Sequence, residues 1–192
     1  CTQGCHWCIS RDTHGDRSDS LNLDDPGVAR FFKDFVRLGG KALAWSGGGE
    51  PTNHPAFRQA LEMVSATGLP QGLFTHGVFA GELCDPISRH CEWVRVSIDT
   101  HDPRRYAERR NASAAQFERV SANVRELVRR GHARVGLNMN VSEWNKHDIP
   151  SLIEHAADLG VAYLQVRPTL PMPRQSAAAD DNYLKSESID PI

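Results

Sequence analysis

The sequence predicts an α/β fold built on a parallel sheet, and three observations lead there. Short apolar runs of strand character recur at Ala42–Trp45, Gly72–Thr75, Trp93–Ile98, Val135–Val141 and Val161–Val166. Helical patterns fill four of the gaps between them, the kind of crossover that parallel strands require. The unusual residues (Gly47-Gly48-Gly49, Thr75-His76-Gly77, Asp99 and Asn145) fall just past the carboxyl ends of these runs. That edge is where parallel α/β sheets and barrels bind ligands.

Taken in order, the chain opens on a cysteine loop, Cys1 to Cys8, followed by a polar connector, Arg11 to Ser20, without periodicity. Asp24-Asp25-Pro26 is a helix start, a capping Asp with Pro early in the helix. Val28, Phe31, Phe32, Phe35, Val36 and Leu38 follow at helical spacing, and the three phenylalanines are expected in the core. Gly39-Gly40 ends that helix before the first strand. Asn53 and His54-Pro55 open a second helix, with Phe57, Leu61 and Val64 inward. Gly68-Leu69-Pro70 closes it. A short helix around Glu82 to His90 precedes the third strand. Pro103 to Arg110 is a charged patch, expected to be a solvated helix face more than a ligand clamp. The next helix carries Phe117, Val120, Val124, Leu127 and Val128 on one face and stops at Gly131; the last spans Ile149 to Leu159. From Pro168 the composition turns to Pro, Ser, Ala and Asp. The expected division is a core domain over 1–169 and a linker or tail over 170–192.

The chain has 192 residues, 40% hydrophobic and 24% charged, which suits one globular domain. With 22 basic and 24 acidic side chains the formal charge is −2. That balance gives no reason to expect nucleic acid or an anionic membrane as partner. No apolar run reaches the roughly 18 residues of a membrane span. Five cysteines, three of them within eight residues, suit a metal site in a reducing compartment better than a disulfide framework, so a cytoplasmic location is expected. Cys84 and Cys91 are expected to be buried free thiols that pack as small hydrophobes. A ligand placed at a fraying terminus is poorly anchored, so a segment upstream of Cys1 is expected.

Cys1, Cys5 and Cys8 form a compact trio of soft ligands, suited to zinc, copper(I) or an iron–sulfur cluster. The trio has no fourth cysteine nearby. A [4Fe–4S] cluster on three thiolates would keep one iron open for a substrate or cofactor. Zinc completed by His6 or a distant histidine is the alternative. The Gly47-Gly48-Gly49 run lacks the Lys-Ser/Thr of a phosphate-binding P-loop, and Glu50 would repel phosphate.

These motifs together resemble the radical S-adenosylmethionine (SAM) superfamily. Cys1, Cys5 and Cys8 match its CxxxCxΦC motif, with Trp7 at the aromatic position. Gly48-Gly49-Glu50-Pro51 matches its GGE motif, Ser97-Ile98-Asp99 the end of its fourth strand, and Tyr106 with Arg110 a Y-x-x-x-R element. Asn138 and Asn145 match asparagines in and after its fifth strand. His76 departs from the family's common T-N-G turn, and it serves either the turn or the substrate. The resemblance runs from Cys1 to Thr169.

The resemblance implies a partial (βα)6 parallel barrel whose first strand is missing from this sequence. It implies a [4Fe–4S] cluster on Cys1, Cys5 and Cys8 whose open iron chelates SAM. Glu50 and the backbone of Gly48 and Gly49 would hold the SAM amino group. Thr75, Ser97, Asn138 and Arg110 are candidates for its carboxylate and ribose. The backbone of Trp7 and the strand at Val166 and Arg167 would flank the adenine. An electron from a flavodoxin or ferredoxin would cleave SAM, and the resulting radical would abstract hydrogen from a peptide or small metabolite. Relatives that modify peptides often continue into a domain with further clusters, for which this sequence has no cysteines. The competing readings are a zinc-stabilised binding module without catalysis and an inactive fragment of a larger enzyme.

Overall fold

The computed structural model describes residues 1–8, 26–169 and 183–185. The connector Arg11–Ser20 and the capping residues Asp24 and Asp25 lie outside them. Among the described residues the chain forms α1 (Pro26–Arg37), β1 (Leu43–Trp45), α2 (Phe57–Ser65), β2 (Gln71–Thr75), α3 (Cys84–His90), β3 (Trp93–Ser97), α4 (Pro103–Arg110), α5 (Ala114–Arg130), β4 (Arg134–Val141), α6 (Ile149–Asp158) and β5 (Tyr163–Pro168).

All four strand pairings are parallel, and strand order follows chain order. Right-handed crossovers always taken in one direction place every connecting helix on the same face. This is how a barrel begins to close, in contrast to a doubly wound sheet. The helix side is the core: Leu73, Val94, Val96, Ile98, Val135, Leu137 and Met139 pack there with Leu61, Ile87, Val120, Leu127 and Leu152. Successive strand residues alternate between faces. Phe74, Trp93, Arg95, Ser97, Gly136, Asn138, Tyr163 and Gln165 therefore share the opposite, concave face.

Four elements differ from the sequence expectation. The charged stretch Pro103–Arg110 is a helix, with Asp102 accepting the backbone N–H groups of Arg104 and Arg105 and Pro103 in the first turn, but it is not solvated throughout. Tyr106 and Arg110 lie on its buried face. Among the phenylalanines of α1 only Phe32 is buried; Phe31 is 59% exposed, since α1 covers just the end of the sheet beside β1 and the small cluster of Val64 and Leu69. A 3-10 turn over Pro51–Asn53, capped by Glu50, delays the second helix to Phe57. The last strand is shifted two residues from the expected Val161–Val166, to Tyr163–Pro168.

Cys84 and Cys91 are buried free thiols, as expected, and burial pushes them up to about 11 and about 12. Residues 170–182 and 186–192 lie outside the described residues. Within the expected tail, Tyr183 is buried, its carbonyl accepts the N–H of Glu143, and Leu184 donates to the carbonyl of Thr169.

Candidate active site

The cysteine loop is pinned to the carboxyl edge of the sheet at four points. The N–H groups of Gly4 and His6 donate to the carbonyls of Arg110 and Arg109, at the end of α4. Gln3, itself buried, donates to the Tyr106 hydroxyl at 2.7 Å and accepts from Arg110 Nη1 at 3.0 Å. Thr2 Oγ1 lies 3.4 Å from His76 Nε2. The backbone nitrogen of Cys1 sits against Gly49, 3.4 Å from where a Cβ would stand. None of the three glycines of that run has positive φ. A Cβ at Gly49 would stand in ordinary van der Waals contact with that nitrogen, so the loop brings Cys1 against Gly49 without a left-handed backbone there.

Glu50 is a junction. Its Oε1 accepts the Thr75 hydroxyl at 2.6 Å, the Thr52 hydroxyl at 2.8 Å and the Thr52 N–H at 3.3 Å. Its Oε2 accepts the His76 N–H at 2.7 Å. Each carboxylate oxygen offers about two lone-pair sites, so Oε2, with one donor, retains the capacity for one further donor. The bond to the Thr75 hydroxyl ties the glycine loop after β1 to the end of β2.

His76 answers the question its sequence position raised. Its Nδ1 accepts the Val78 N–H at 2.9 Å, the bond an Asn side chain makes to the N–H two residues on. Histidine thus replaces asparagine here by reproducing its turn. Burial, with a smaller contribution from Arg110, lowers His76 to about 4 against the pull of Glu50. The ring is neutral, with its proton on Nε2 facing Thr2.

Arg110 is buried and ion-paired with Asp99, which takes positive φ (62°) at the end of β3. Burial opposes its charge, but Asp99, Cys5 and Tyr106 together outweigh that and hold it protonated. The second Asp99 oxygen accepts the Asn140 N–H at 2.6 Å, and Asn145 donates to the Asp99 and Asn140 carbonyls. The asparagine expected after the fifth family strand therefore braces the ends of β3 and β4. Burial raises the Cys5 thiol, and Arg110 partly offsets this.

Of the other candidates, Ser97 and Asn138 are register partners on the concave face. Asn138 Oδ1 is buried without a hydrogen-bond partner. Trp7 stacks on Trp144 at 5.5 Å. Val166 pairs in register with Met139 and so shares the helix-side face, while Arg167 shares the concave face with Asn140. Gly48 is exposed beside Gly49 and Glu50. A cleft of about 460 Å³ lined by Thr52, Phe79, Leu83, Gln116 and Arg119 lies elsewhere and contains none of the sequence candidates. Gln3 was not singled out from the sequence; its position between two cysteines was the only available signal.

The donor set fits an iron–sulfur cluster in kind, since Cys1, Cys5 and Cys8 are thiols outside any disulfide, on one loop with a turn in which the Cys8 N–H donates to the Cys5 carbonyl at 3.1 Å. Among the described residues no three His, Cys, Asp or Glu side chains already converge as a metal site. Closing the thiols around a cluster requires the loop to adjust.

The family model of the Radical SAM superfamily matches residues 1–156. The chain belongs to this superfamily. Membership supports an enzyme of the radical SAM class over the non-catalytic zinc module. Proteins described as probable GTP 3′,8-cyclase, from two strains of Halobacterium salinarum, are 28% identical over 167 residues. The match covers 82% of this chain, which spans 44% of the length of those curated relatives. Among solved structures, native anSMEcpe with bound AdoMet superposes with a TM-score of 0.79 at 15% identity, over 98% of this chain and 54% of that one. SuiB of Streptococcus suis gives 0.74 at 13% identity, over 96% and 39%. TYW1 with a lysine–pyruvate adduct gives 0.65 at 16% identity, over 91% and 63%. At these identities the likeness establishes the fold, a partial (βα) barrel. Among the described residues no helix is long and apolar enough to cross a membrane.

Proposed function

We propose that this radical SAM enzyme holds a [4Fe–4S] cluster on Cys1, Cys5 and Cys8, binds SAM at the carboxyl edge of the sheet and abstracts hydrogen from an organic substrate. The observation that carries this reading is the convergence of the cysteine loop, the Glu50 loop and the ends of β3 and β4, through Cys1 at Gly49, Thr2 at His76 and Gln3 at Arg110. When bound and reduced by a donor such as flavodoxin or ferredoxin, the cluster supplies the electron that cleaves SAM to methionine and a 5′-deoxyadenosyl radical.

The protein residues orient and shield. Glu50 Oε2 and the backbone of Gly48 and Gly49 receive the SAM ammonium. Ser97 and Asn138 face the ribose and carboxylate, which gives the unpartnered Asn138 Oδ1 a donor. The backbone of Trp7 and of Val166 flanks the adenine. Thr75 and Arg110 act as positioning residues, Thr75 by fixing Glu50 and Arg110 by fixing Gln3 beside Cys5. A peptide substrate is supported by structures of this fold, SuiB bound to the precursor peptide SuiA and anSMEcpe with a Kp18Cys peptide. A small metabolite is supported by the name of the curated relatives.

Anaerobic reconstitution with iron and sulfide tests the reading. The expected result is a brown protein that, once reduced, converts SAM to methionine and 5′-deoxyadenosine, with Cys5→Ala colourless and inactive. A colourless wild-type protein with one zinc per chain would overturn it.

A further inference from the structure

The concave face carries a feature that cysteine and SAM chemistry does not use. Arg95 stands in the middle of β3, two residues before Ser97, on the same face. Its guanidinium lies over the rings of Phe74 (4.7 Å) and Trp93 (5.6 Å), and its Nε is buried without a hydrogen-bond partner. No carboxylate among the described residues pairs with it. The surrounding floor is aromatic. A Cβ on Gly72 would fall inside the Trp93 indole, and one on Gly136 inside the Tyr163 ring, so both rings lie flat across the sheet. Gly136 is the register partner of both Arg95 and Tyr163. One row nearer the carboxyl edge, Asn138 and Gln165 are register partners, each with a buried amide oxygen lacking a partner. Register also places Arg134 and Arg167 on this face, while no strand residue on it is acidic.

We propose that Arg95 anchors the substrate: its guanidinium, lying against Phe74 and Trp93, receives a phosphate or carboxylate of a small anionic metabolite lying beneath the SAM site. This rests on the reading of the concave face as the reaction side. Contact with the edge-to-face Phe74 and Trp93 rings holds the guanidinium in place while leaving its two terminal nitrogens for an oxyanion, the bidentate geometry for which arginine is suited. The unpartnered oxygens of Asn138 and Gln165 ask for donors, from the SAM ribose or from N–H and O–H groups of the substrate. A cation half-buried without a counter-ion is costly, and a bound anion removes that cost.

Calorimetric titration of the full chain with tripolyphosphate and, separately, with citrate tests the proposal. Arg95→Gln is expected to weaken binding of at least one of them by about tenfold or more, the size of a lost charge-assisted pair. The exposed Arg58→Gln should leave it unchanged. Loss of tripolyphosphate binding alone identifies a phosphate substrate, and loss of citrate binding alone a carboxylate. Phenylglyoxal modification of the wild-type protein, mapped by mass spectrometry, provides a readout that needs no variant: the bound anion should protect Arg95. Wild-type protein binding neither anion, Arg95→Gln binding both as before, or Arg95 modified equally with and without anion overturns the proposal. An acidic peptide bound through Arg95 while both small anions fail overturns the small-molecule assignment. Failure of wild-type SAM cleavage would instead strike the parent reading, because anion binding is measured without cluster or SAM.

Discussion

The Thr75 hydroxyl donates to Glu50 Oε1 at 2.6 Å, so two residues expected to touch SAM from the ends of adjacent strands hold each other. The bond is short, charge-assisted and buried, and it fixes the spacing between the ends of β1 and β2. Thr75→Val keeps the shape and removes the donor. A hydrogen bond to a charged group contributes about 1.5–3 kcal/mol, and urea denaturation should show a loss in that range. Thr75→Ser should recover most of it. If Thr75 instead contacts SAM directly, the Val variant will lose SAM affinity with its unfolding curve unchanged.

His76 makes a pH prediction. Its folded value, about 4, lies below its ordinary 6.5. Between these the unfolded chain binds a proton that the folded chain excludes, so stability rises with pH across that window. The contribution is fully present above pH 6.5 and is lost as pH falls towards 4, at roughly 1.4 kcal/mol per pH unit. His76→Asn keeps an acceptor for the Val78 N–H without a titrating ring. Thermal melts from pH 4 to 7 should show a flatter profile for the Asn variant, and identical slopes would mean that His76 is not buried as a neutral ring.

The strands were legible because most are apolar runs closed by Gly, Pro or Asp and β4 alternates apolar with polar residues, local signals that packing reinforces. The buried side of helix α4 was not, because only Tyr106 and Arg110 bury their side chains and no apolar face announces it; Asp102-Pro103 marked the helix start. The three ligand loops were visible as motifs, but their mutual attachments were not. Gln3 and Arg110 are 107 positions apart, and their bond exists only because α4 returns beneath the cysteine loop. Arg95 was open to inference: in Trp93-Val94-Arg95-Val96-Ser97 it alternates with two buried valines, which places it on the face the helices leave uncovered.

Asp99 and Arg110 form a buried pair, and removing one partner strands the other. Asp99→Asn or Arg110→Met should each cost about 3–5 kcal/mol. The double variant should cost less than the sum, because no lone charge remains. Additive losses in denaturant titrations would show that the two are not coupled. Arg110→Met should also release Gln3, and the reconstituted variant is expected to retain less iron than wild type under the same conditions.

Gly136→Ala tests the aromatic floor beneath the concave face. The added methyl would occupy the space of the Tyr163 ring, which must swing away or push β5 outward. Overpacking of this kind typically costs about 1–3 kcal/mol. Combining it with Tyr163→Ala removes the obstructing ring, so the cost of the glycine substitution should shrink in that background. The same reasoning applies to Gly72→Ala with Trp93→Ala, where the displaced indole is also a wall of the Arg95 site. Gly72→Ala should therefore weaken anion binding as well as the fold, whereas Gly136→Ala should act mainly on stability, because Tyr163 lies outside the guanidinium stack. Equal effects of the two substitutions on anion affinity would contradict that division of the floor.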